Sequence, residues 1–176
     1  MSEVTNIVLA GLGGQGVIRA SDILADVLFR AGYDVKQSEI HGMSQRGGSV
    51  SSDLRFGGKV YSPMVPAGEA DYLLILDASQ EENNVHRLKE GGVLINPADL
   101  LEDEDDEVED LDFDDETPLT RRNFNVAQLG VLSAYLDMDE ALWHESIKAK
   151  LPAKVHAQNL DVFALGREAG RAAAAE

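Results

Sequence analysis

The sequence predicts an α/β fold in which an open, mostly parallel sheet carries flanking helices. Short apolar runs that end at glycine or acidic residues are typical of buried parallel strands. Segments with apolar residues at helical spacing alternate with these runs. The resulting order of strand, helix, strand, hairpin, strand, helix and strand indicates a Rossmann-like sheet followed by a helical C-terminal region.

Each element has its own signal along the chain. The predicted strands are residues 6–10, 34–40, 71–77 and 93–96, and the predicted helices are residues 17–31, 80–89, 126–136, 139–150 and 155–174. Residues 49–56 alternate in strand fashion, and residues 59–62 are predicted to return after Gly57-Gly58 as the second arm of a β-hairpin. No stretch is long enough to be a linker, so residues 1–176 are predicted to form a single domain.

The composition limits the classes of protein and of cofactor. Hydrophobic residues make up 44% of the chain, and no apolar run reaches the roughly 18 residues that a membrane-spanning helix needs. The first residues carry no basic charge, so we expect a cytoplasmic protein without a secretory signal. The sequence has no cysteine, which excludes disulfides, thiolate-bound zinc and cysteine-held iron–sulfur clusters in this chain.

The net charge of −17 is concentrated in one segment. Of the 32 acidic residues, 13 lie in residues 99–116, which contain no lysine or arginine. Residues 99–118 are therefore predicted to be a solvated acidic loop insert. The remaining 19 acids face 15 bases, so the folded body is only mildly acidic. Such a body disfavours nucleic acid as a partner, because phosphate binding needs clustered lysine and arginine.

A glycine-rich turn follows the first predicted strand and precedes the first predicted helix. Its candidate binding residues are Gly11, Gly13, Gly14, Gln15 and Gly16. Glycines here let backbone N–H groups approach an anion at the positive end of a helix, and Glu39 could then hold the ribose of a nucleotide. The same glycines would also serve to close a tight turn against neighbouring backbone, and the pattern alone leaves both interpretations open.

A second unusual loop follows the second predicted strand. It comprises His41, Gly42, Met43, Ser44, Gln45, Arg46, Gly47 and Gly48. Loops at the carboxyl ends of strands line ligand sites in open α/β sheets, and the guanidinium of Arg46 could bind a carboxylate or a phosphate. The alternative is a structural or subunit-contact loop. No catalytic residue and no metal site are predicted, since the four histidines lack metal-ligand spacing.

Taken together, the two motifs resemble a known family. The glycine-rich turn and residues 41–50 look like the gamma-type domain of the pyruvate and ketoisovalerate ferredoxin oxidoreductases, a family of 2-oxoacid:ferredoxin oxidoreductases. The loop is most similar to the indolepyruvate branch, in which the corresponding chain is called the beta subunit. Further similar stretches are residues 60–63, 68–71, 125, 129–130 and 159–166, so the resemblance covers nearly the whole chain.

The resemblance implies a complex that oxidatively decarboxylates an aryl pyruvate to an acyl-CoA and reduces ferredoxin. It implies that a larger alpha subunit holds thiamine diphosphate and the iron–sulfur clusters, that CoA is a co-substrate, and that this chain holds no cofactor itself. No nucleic-acid or membrane partner is expected. Three alternatives stay open from the sequence. They are a gamma subunit for another 2-oxoacid, a stand-alone nucleotide-binding protein with a Rossmann-like fold, and a non-catalytic binding or regulatory protein of flavodoxin-like form.

Overall fold

The computed structural model describes residues 3–42, 47–101, 108, 111 and 117–176 of the chain. Its strands are β1 (Thr5–Leu12), β2 (Asp34–His41), β3 (Ser49–Gly57), β4 (Ala70–Ile75) and β5 (Leu88–Ile95). Its helices are α1 (Val17–Arg30), α2 (Glu81–Asn84), α3 (Phe124–Ser133), α4 (Glu140–Lys150) and α5 (His156–Ala174), and short 3₁₀ turns flank α2. None of the helices within these ranges has the length and apolar character needed to cross a membrane.

The strands form one mixed sheet in the order β2-β3-β1-β4-β5. β1 pairs in parallel with β4, and β4 with β5, while β3 runs antiparallel to both of its neighbours. The α/β class predicted from the sequence is confirmed, although the sheet is less parallel than predicted. Because β3 is the neighbour of β1, it also separates β1 from β2.

The antiparallel hairpin lies in a different place from the one predicted. Residues 42–48 connect β2 to β3, and the predicted return strand over residues 59–62 is wrong. β3 is already hydrogen-bonded along both edges, so no edge remains for a further strand. Val60 is instead buried, and its N–H donates to Asp34 Oδ2 at 2.7 Å. This hydrogen bond is the main cause that lowers the pKa of Asp34 below its usual value.

The segment predicted as a helix over residues 80–89 is mostly not α-helical. α2 covers only four residues, and β5 begins at Leu88, well before the strand predicted at residues 93–96. Gly91 has a φ of 78° and lies inside β5, where the pairing with β4 shifts register. The glycine pair expected to end a helix therefore forms an irregularity in an edge strand.

The sheet has one thickly covered face and one thinly covered face. Helices α1, α3, α4 and α5 pack on the first face, where their apolar side chains share a core with Ile7 and Leu9. On the opposite face, Val8 and Leu73 are fully buried and pack with Val65 from the connection between β3 and β4. That connection is therefore part of the core.

A buried ion pair holds this connection on the sheet. Asp53 on β3 is inaccessible to solvent. Its Oδ1 accepts from Arg87 Nη2 at 2.6 Å, and its Oδ2 accepts from the N–H of Val65 at 2.9 Å. Buried charges are tolerated when they are paired and hydrogen-bonded in this way. One carboxylate thus ties β3 to the two segments that cover the second face.

α3 and α5 touch through their backbones. All ten residues of α3 are buried. A Cβ atom on Gly166 would collide with the carbonyl oxygen of Ala127, and one on Gly130 would collide with that of Phe163. Gly170 makes room for α3 in the same way, one turn further along α5. The two helices therefore approach more closely than any residue with a side chain at these positions would allow.

Two apolar residues of the acid-rich segment pack into the core, while the solvated insert over residues 99–118 stays a prediction. Val108 is buried, and Leu111 packs against the main core. The carbonyl oxygen of Leu111 also accepts a hydrogen bond from the N–H of Arg121 at 3.3 Å. Val108 and Leu111 thus belong to the packed body of the protein. Residues 102–107, 109–110 and 112–116 lie outside the described residues.

We expect Gly166→Ala to lower the free energy of unfolding by about 1–3 kcal/mol, because the added methyl group forces two helix backbones apart. At an unconstrained helical position, the same Gly→Ala change would raise the free energy of unfolding by about 1 kcal/mol. Urea unfolding followed by circular dichroism measures the difference. The matched control is Ala164→Leu on the exposed side of α5, which should stay within about 0.5 kcal/mol of wild type. A stabilised Gly166→Ala variant would contradict the close contact.

Candidate functional site

Both sequence motifs lie at the same edge of the sheet. β1 and β2 end there at Leu12 and His41, on either side of the start of β3. The N–H of Gly13 donates to the carbonyl oxygen of Gly48 at 2.9 Å. The glycine-rich turn and the 41–48 loop, predicted as separate features, are therefore hydrogen-bonded to each other.

Only the two ends of that loop belong to the described part of the chain. His41 exposes 62% of its side chain, and its Nε2 lies 3.6 Å from Glu39 Oε2. Gly42 bonds back across the hairpin, its N–H donating to the carbonyl oxygen of Ser49 at 2.7 Å. Met43, Ser44, Gln45 and Arg46 fall outside the described residues. The binding role suggested for Arg46 therefore stays a prediction.

Four glycines shape the turn in two different ways. Gly14 and Gly16 have φ angles of 92° and 77°, in the left-handed region that side chains disfavour. Gly11 and Gly13 instead allow close packing. A Cβ atom on Gly11 would lie 2.9 Å from a side chain of α1, and one on Gly13 would lie 3.3 Å from the backbone nitrogen of Gly47.

The turn satisfies part of its hydrogen-bonding capacity internally. Gln15 Oε1 accepts from the N–H of Leu12 at 2.8 Å, and the N–H of Gly13 donates to the neighbouring loop. These contacts support the tight-turn interpretation for those two groups. For the N–H groups of Gly14, Gly16 and the first turn of α1, no acceptor is found among the described residues. Those groups are the ones that remain for an anion.

α3 holds the turn from the side. Asn125 Nδ2 donates to the carbonyl oxygen of Gly16 at 3.1 Å, while its Oδ1 accepts from the N–H of Val126 at 2.9 Å. A Cβ atom on Gly16 would lie only 2.5 Å from Asn125 Nδ2. Asn125 therefore occupies the space that a larger residue in the turn would need, and it places the start of α1 relative to α3.

Several clefts adjoin the turn. One of them, of about 440 Å³, lies between the turn, the start of α1 and the ends of the 41–48 loop. A larger one, of about 690 Å³, is lined by the turn, by Arg121 and Arg122, and by the first turns of α3 and α5. Arg19 lines both of these clefts, and its Nη1 donates to the carbonyl oxygen of Lys150 at 2.6 Å.

The larger cleft has a positive electrostatic character. α1, α3 and α5 all begin at it, and none of them has an acidic residue in its first turn. α4 begins elsewhere and is capped by Asp139, with Glu140 in its first turn. Helix N-termini carry partial positive charge, to which Arg121 and Arg122 add two full charges. An anionic group is therefore the ligand that this edge of the sheet favours.

The sheet order argues against an ordinary dinucleotide site. Glu39, the residue predicted to hold a ribose, lies on β2, and β3 separates β2 from β1. Two strand spacings place β2 roughly 10 Å from the strand that leads into the turn. In the βαβ arrangement, the ribose-binding acid instead follows the strand adjacent to β1. The stand-alone nucleotide-binding interpretation thus loses its supporting residue.

The structure brings three features to this edge that the motif analysis did not assign to it: Asp77, Asn125 and the arginine pair at residues 121–122. Asp77 lies just beyond the carboxyl end of β4, a position from which side chains reach the ligand edge, so the sequence pattern could have indicated it. The arginine pair is distant in sequence from the glycine-rich turn, and no local sequence pattern indicates that it lies at this edge. Among the residues described, no group of His, Asp or Glu side chains is arranged to hold a metal ion.

Comparison with known proteins gives consistent matches. A family model described as pyruvate ferredoxin/flavodoxin oxidoreductase matches residues 6–169. An indolepyruvate oxidoreductase subunit IorB of Thermococcus kodakarensis is 45% identical over 93 residues, which are 53% of this chain and 46% of the relative. A common gamma subunit of pyruvate/ketoisovalerate oxidoreductases from the same organism is 32% identical over 87 residues, 48% of this chain and 47% of the relative. The matches therefore span about half the length of these curated relatives.

Two solved structures share the fold. A 2-oxoglutarate:ferredoxin oxidoreductase from Magnetococcus marinus, with 2-oxoglutarate, coenzyme A and succinyl-CoA bound, has a TM-score of 0.79 and 22% identity, over 98% of this chain and 32% of that chain. A keto/oxoacid ferredoxin oxidoreductase gamma subunit from Geobacter sulfurreducens PCA has a TM-score of 0.76 and 24% identity, over 96% of this chain and 99% of that chain. At these identities the likeness shows the fold.

We expect Gly16→Ala to destabilise the protein more than Gly14→Ala does. Both add a side chain in the left-handed region, which costs roughly 1–2 kcal/mol. An added Cβ at Gly14 has nothing within 4 Å, whereas one at Gly16 meets Asn125. Urea unfolding of the two variants should show an excess of about 1 kcal/mol or more for Gly16→Ala. That excess should vanish when Asn125→Ala is added to both variants, and its persistence would rule out the contact as its cause.

Proposed function

The chain belongs to the pyruvate ferredoxin/flavodoxin oxidoreductase family, and from this premise we propose that it is the cluster-free subunit of a 2-oxoacid:ferredoxin oxidoreductase. The family match over residues 6–169 carries the proposal. Indolepyruvate or another aryl pyruvate is the proposed substrate, because several matched relatives are indolepyruvate oxidoreductase subunits. A cytoplasmic location, expected from the sequence, remains a prediction.

The proposed complex joins a 2-oxoacid to CoA. The 2-oxoacid loses its carboxyl group as CO₂, its acyl carbon becomes bonded to the CoA sulfur, and the thiol proton is released. The two electrons from this oxidation pass to two molecules of a one-electron acceptor, ferredoxin. The residues of this chain fit neither group that such chemistry needs, since it has no cysteine for a cluster and no G-D-G motif for thiamine diphosphate. Both groups are therefore assigned to a larger partner subunit.

Within that complex, the proposed role of the glycine-rich turn is to bind the phosphate groups of CoA. Gly14, Gly16 and the first turn of α1 line the cleft of about 440 Å³, so this cleft lies at the N-terminus of α1. Backbone N–H groups at a helix N-terminus are favourable partners for a phosphate. A solved structure with the same fold, from Magnetococcus marinus, contains coenzyme A. The described ends of the 41–48 loop line the same cleft. Arg46, which lies outside the described residues, is proposed to bind a phosphate or a carboxylate through its guanidinium.

We expect the chain to form a stable complex when it is co-expressed with a cysteine-rich alpha subunit. The complex should reduce ferredoxin in the presence of indolepyruvate and CoA, because only the partner can supply the redox groups. The purified chain by itself should contain no iron and show no such activity. Iron in the pure chain, or two subunits that sediment separately at micromolar concentration, would count against the assignment.

The proposed CoA contact is tested by Gly14→Asp in the assembled complex, with Gly14→Asn as the neutral control of matched shape. Gly14 has open space around a Cβ, and asparagine and aspartate are the side chains that best tolerate its left-handed backbone. We expect the aspartate to raise the KM for CoA on the order of tenfold relative to the asparagine variant, because like charges repel at a binding surface. The KM for indolepyruvate should not change. If the two variants have equal KM values for CoA, the turn does not contribute to the CoA site.

A further inference from the structure

The half-buried side chain of Gln15 makes a hydrogen bond at each end of its amide. Its Oε1 accepts from the N–H of Leu12 at 2.8 Å, and its Nε2 donates to Asp77 Oδ2 at 2.7 Å. The amide therefore connects Leu12, at the end of β1, to Asp77, which lies just beyond β4. Gln15 lies within the glycine-rich motif, and each of its two polar atoms already has a hydrogen-bond partner within the chain.

Asp77 links this contact to the segment that follows β4. Its Oδ1 accepts from the N–H of Ser79 at 3.0 Å and from the Ser79 hydroxyl at 2.5 Å, which caps the 3₁₀ turn at Ala78–Gln80. The two carboxylate oxygens thus have different partners. Oδ2 binds Gln15 in the turn, and Oδ1 caps the 3₁₀ turn that follows β4. A carboxylate beside an anion site is unfavourable unless donors engage it, and here three donors do so.

The turn needs external supports because two of its residues are glycines with positive φ. Glycine has many accessible conformations, so a glycine-rich turn gains a single shape only through contacts from outside. Three such contacts are present: Gly48 bonds to Gly13, Asn125 bonds to Gly16, and Asp77 bonds to Gln15. Among the described residues, only the last of these contacts involves a charged group and is therefore the strongest of the three.

We propose that Gln15 and Asp77 form a positioning pair that holds the N–H groups of the turn in the arrangement that binds the phosphates of CoA. The proposal rests on the proposed function, and neither residue touches the ligand. The pair holds the binding geometry in place before CoA arrives, so that less conformational freedom is lost on binding. Its loss should therefore weaken CoA binding without altering the 2-oxoacid site.

The test exchanges the two functional groups in the assembled complex. In Gln15→Glu two carboxylates face each other, and in Asp77→Asn two amide N–H groups compete. In the double variant Gln15→Glu/Asp77→Asn, the glutamate can still accept from Leu12 and can accept from the asparagine amide, while the asparagine oxygen still caps Ser79. Asp161→Asn, an exposed position on α5, is the control for removing one negative charge.

Each single variant should raise the KM for CoA about tenfold, because a hydrogen bond to a charged group is lost. The kcat, the KM for indolepyruvate and the melting temperature of the complex should stay close to wild type. The double variant should return the CoA constant to within about twofold of wild type, since the hydrogen bond is restored with reversed polarity. The Asp161→Asn complex should match wild type in every constant.

Two results would overturn the proposal: single variants with an unchanged CoA constant, or a double variant no better than the worse single one. A fall in melting temperature with both Michaelis constants raised equally would also overturn it, because that pattern marks a purely structural contact. Comparison of Gly14→Asp with Gly14→Asn distinguishes a failure of the CoA assignment from a failure of the positioning role. If that pair shows no difference for CoA, the CoA assignment itself fails. If that pair differs while the exchange variants do not, only the positioning role fails.

Discussion

The direct backbone contact between α3 and α5 is the constraint on which the rest of the structure depends. The glycines of this contact leave no side chain between the helices, so every residue of α3 is buried. Polar side chains on so buried a helix need hydrogen-bond partners. Gln128 Nε2 donates to the carbonyl oxygen of Ile75 at 3.2 Å, and Asn125 donates to that of Gly16. The helix contact therefore determines how the end of β4 and the glycine-rich turn are placed relative to each other.

The positive edge of the sheet exists within a chain whose net charge is −17. At physiological ionic strength, exposed charges farther apart than about 8 Å are largely screened from each other. The helix N-termini and the arginines at residues 121–122 line the cleft itself, so the local field there is positive despite the net charge of the chain. Val108 lines a small cleft together with the turn and the same arginines, so the acid-rich segment is attached beside this positive region.

The chain has no cysteine, so the role proposed for it in cluster-based redox chemistry rests on the groups that it positions. The same fold is about a third of a longer chain in the Magnetococcus marinus structure and is a separate gamma subunit in the Geobacter sulfurreducens structure. A unit found in both arrangements needs a fold whose shape comes from its own contacts. The turn meets this condition, because the hydrogen bonds from Asp77, Gly48 and Asn125 all come from within the chain.

Local patterns in the sequence were sufficient for β1, α1, α4, α5 and the α/β class, because periodicity and glycine stops are properties of neighbouring residues. The two motifs were also visible, although not their hydrogen bond to each other. The hairpin was misplaced because the pattern at residues 59–62 carries no information on whether an edge of β3 is free. Val108 was assigned to solvent because its acidic neighbours dominate the local composition. Asp77 and Asn125 reached the turn only in the tertiary structure, since strand order and helix packing bring together residues that are distant along the chain.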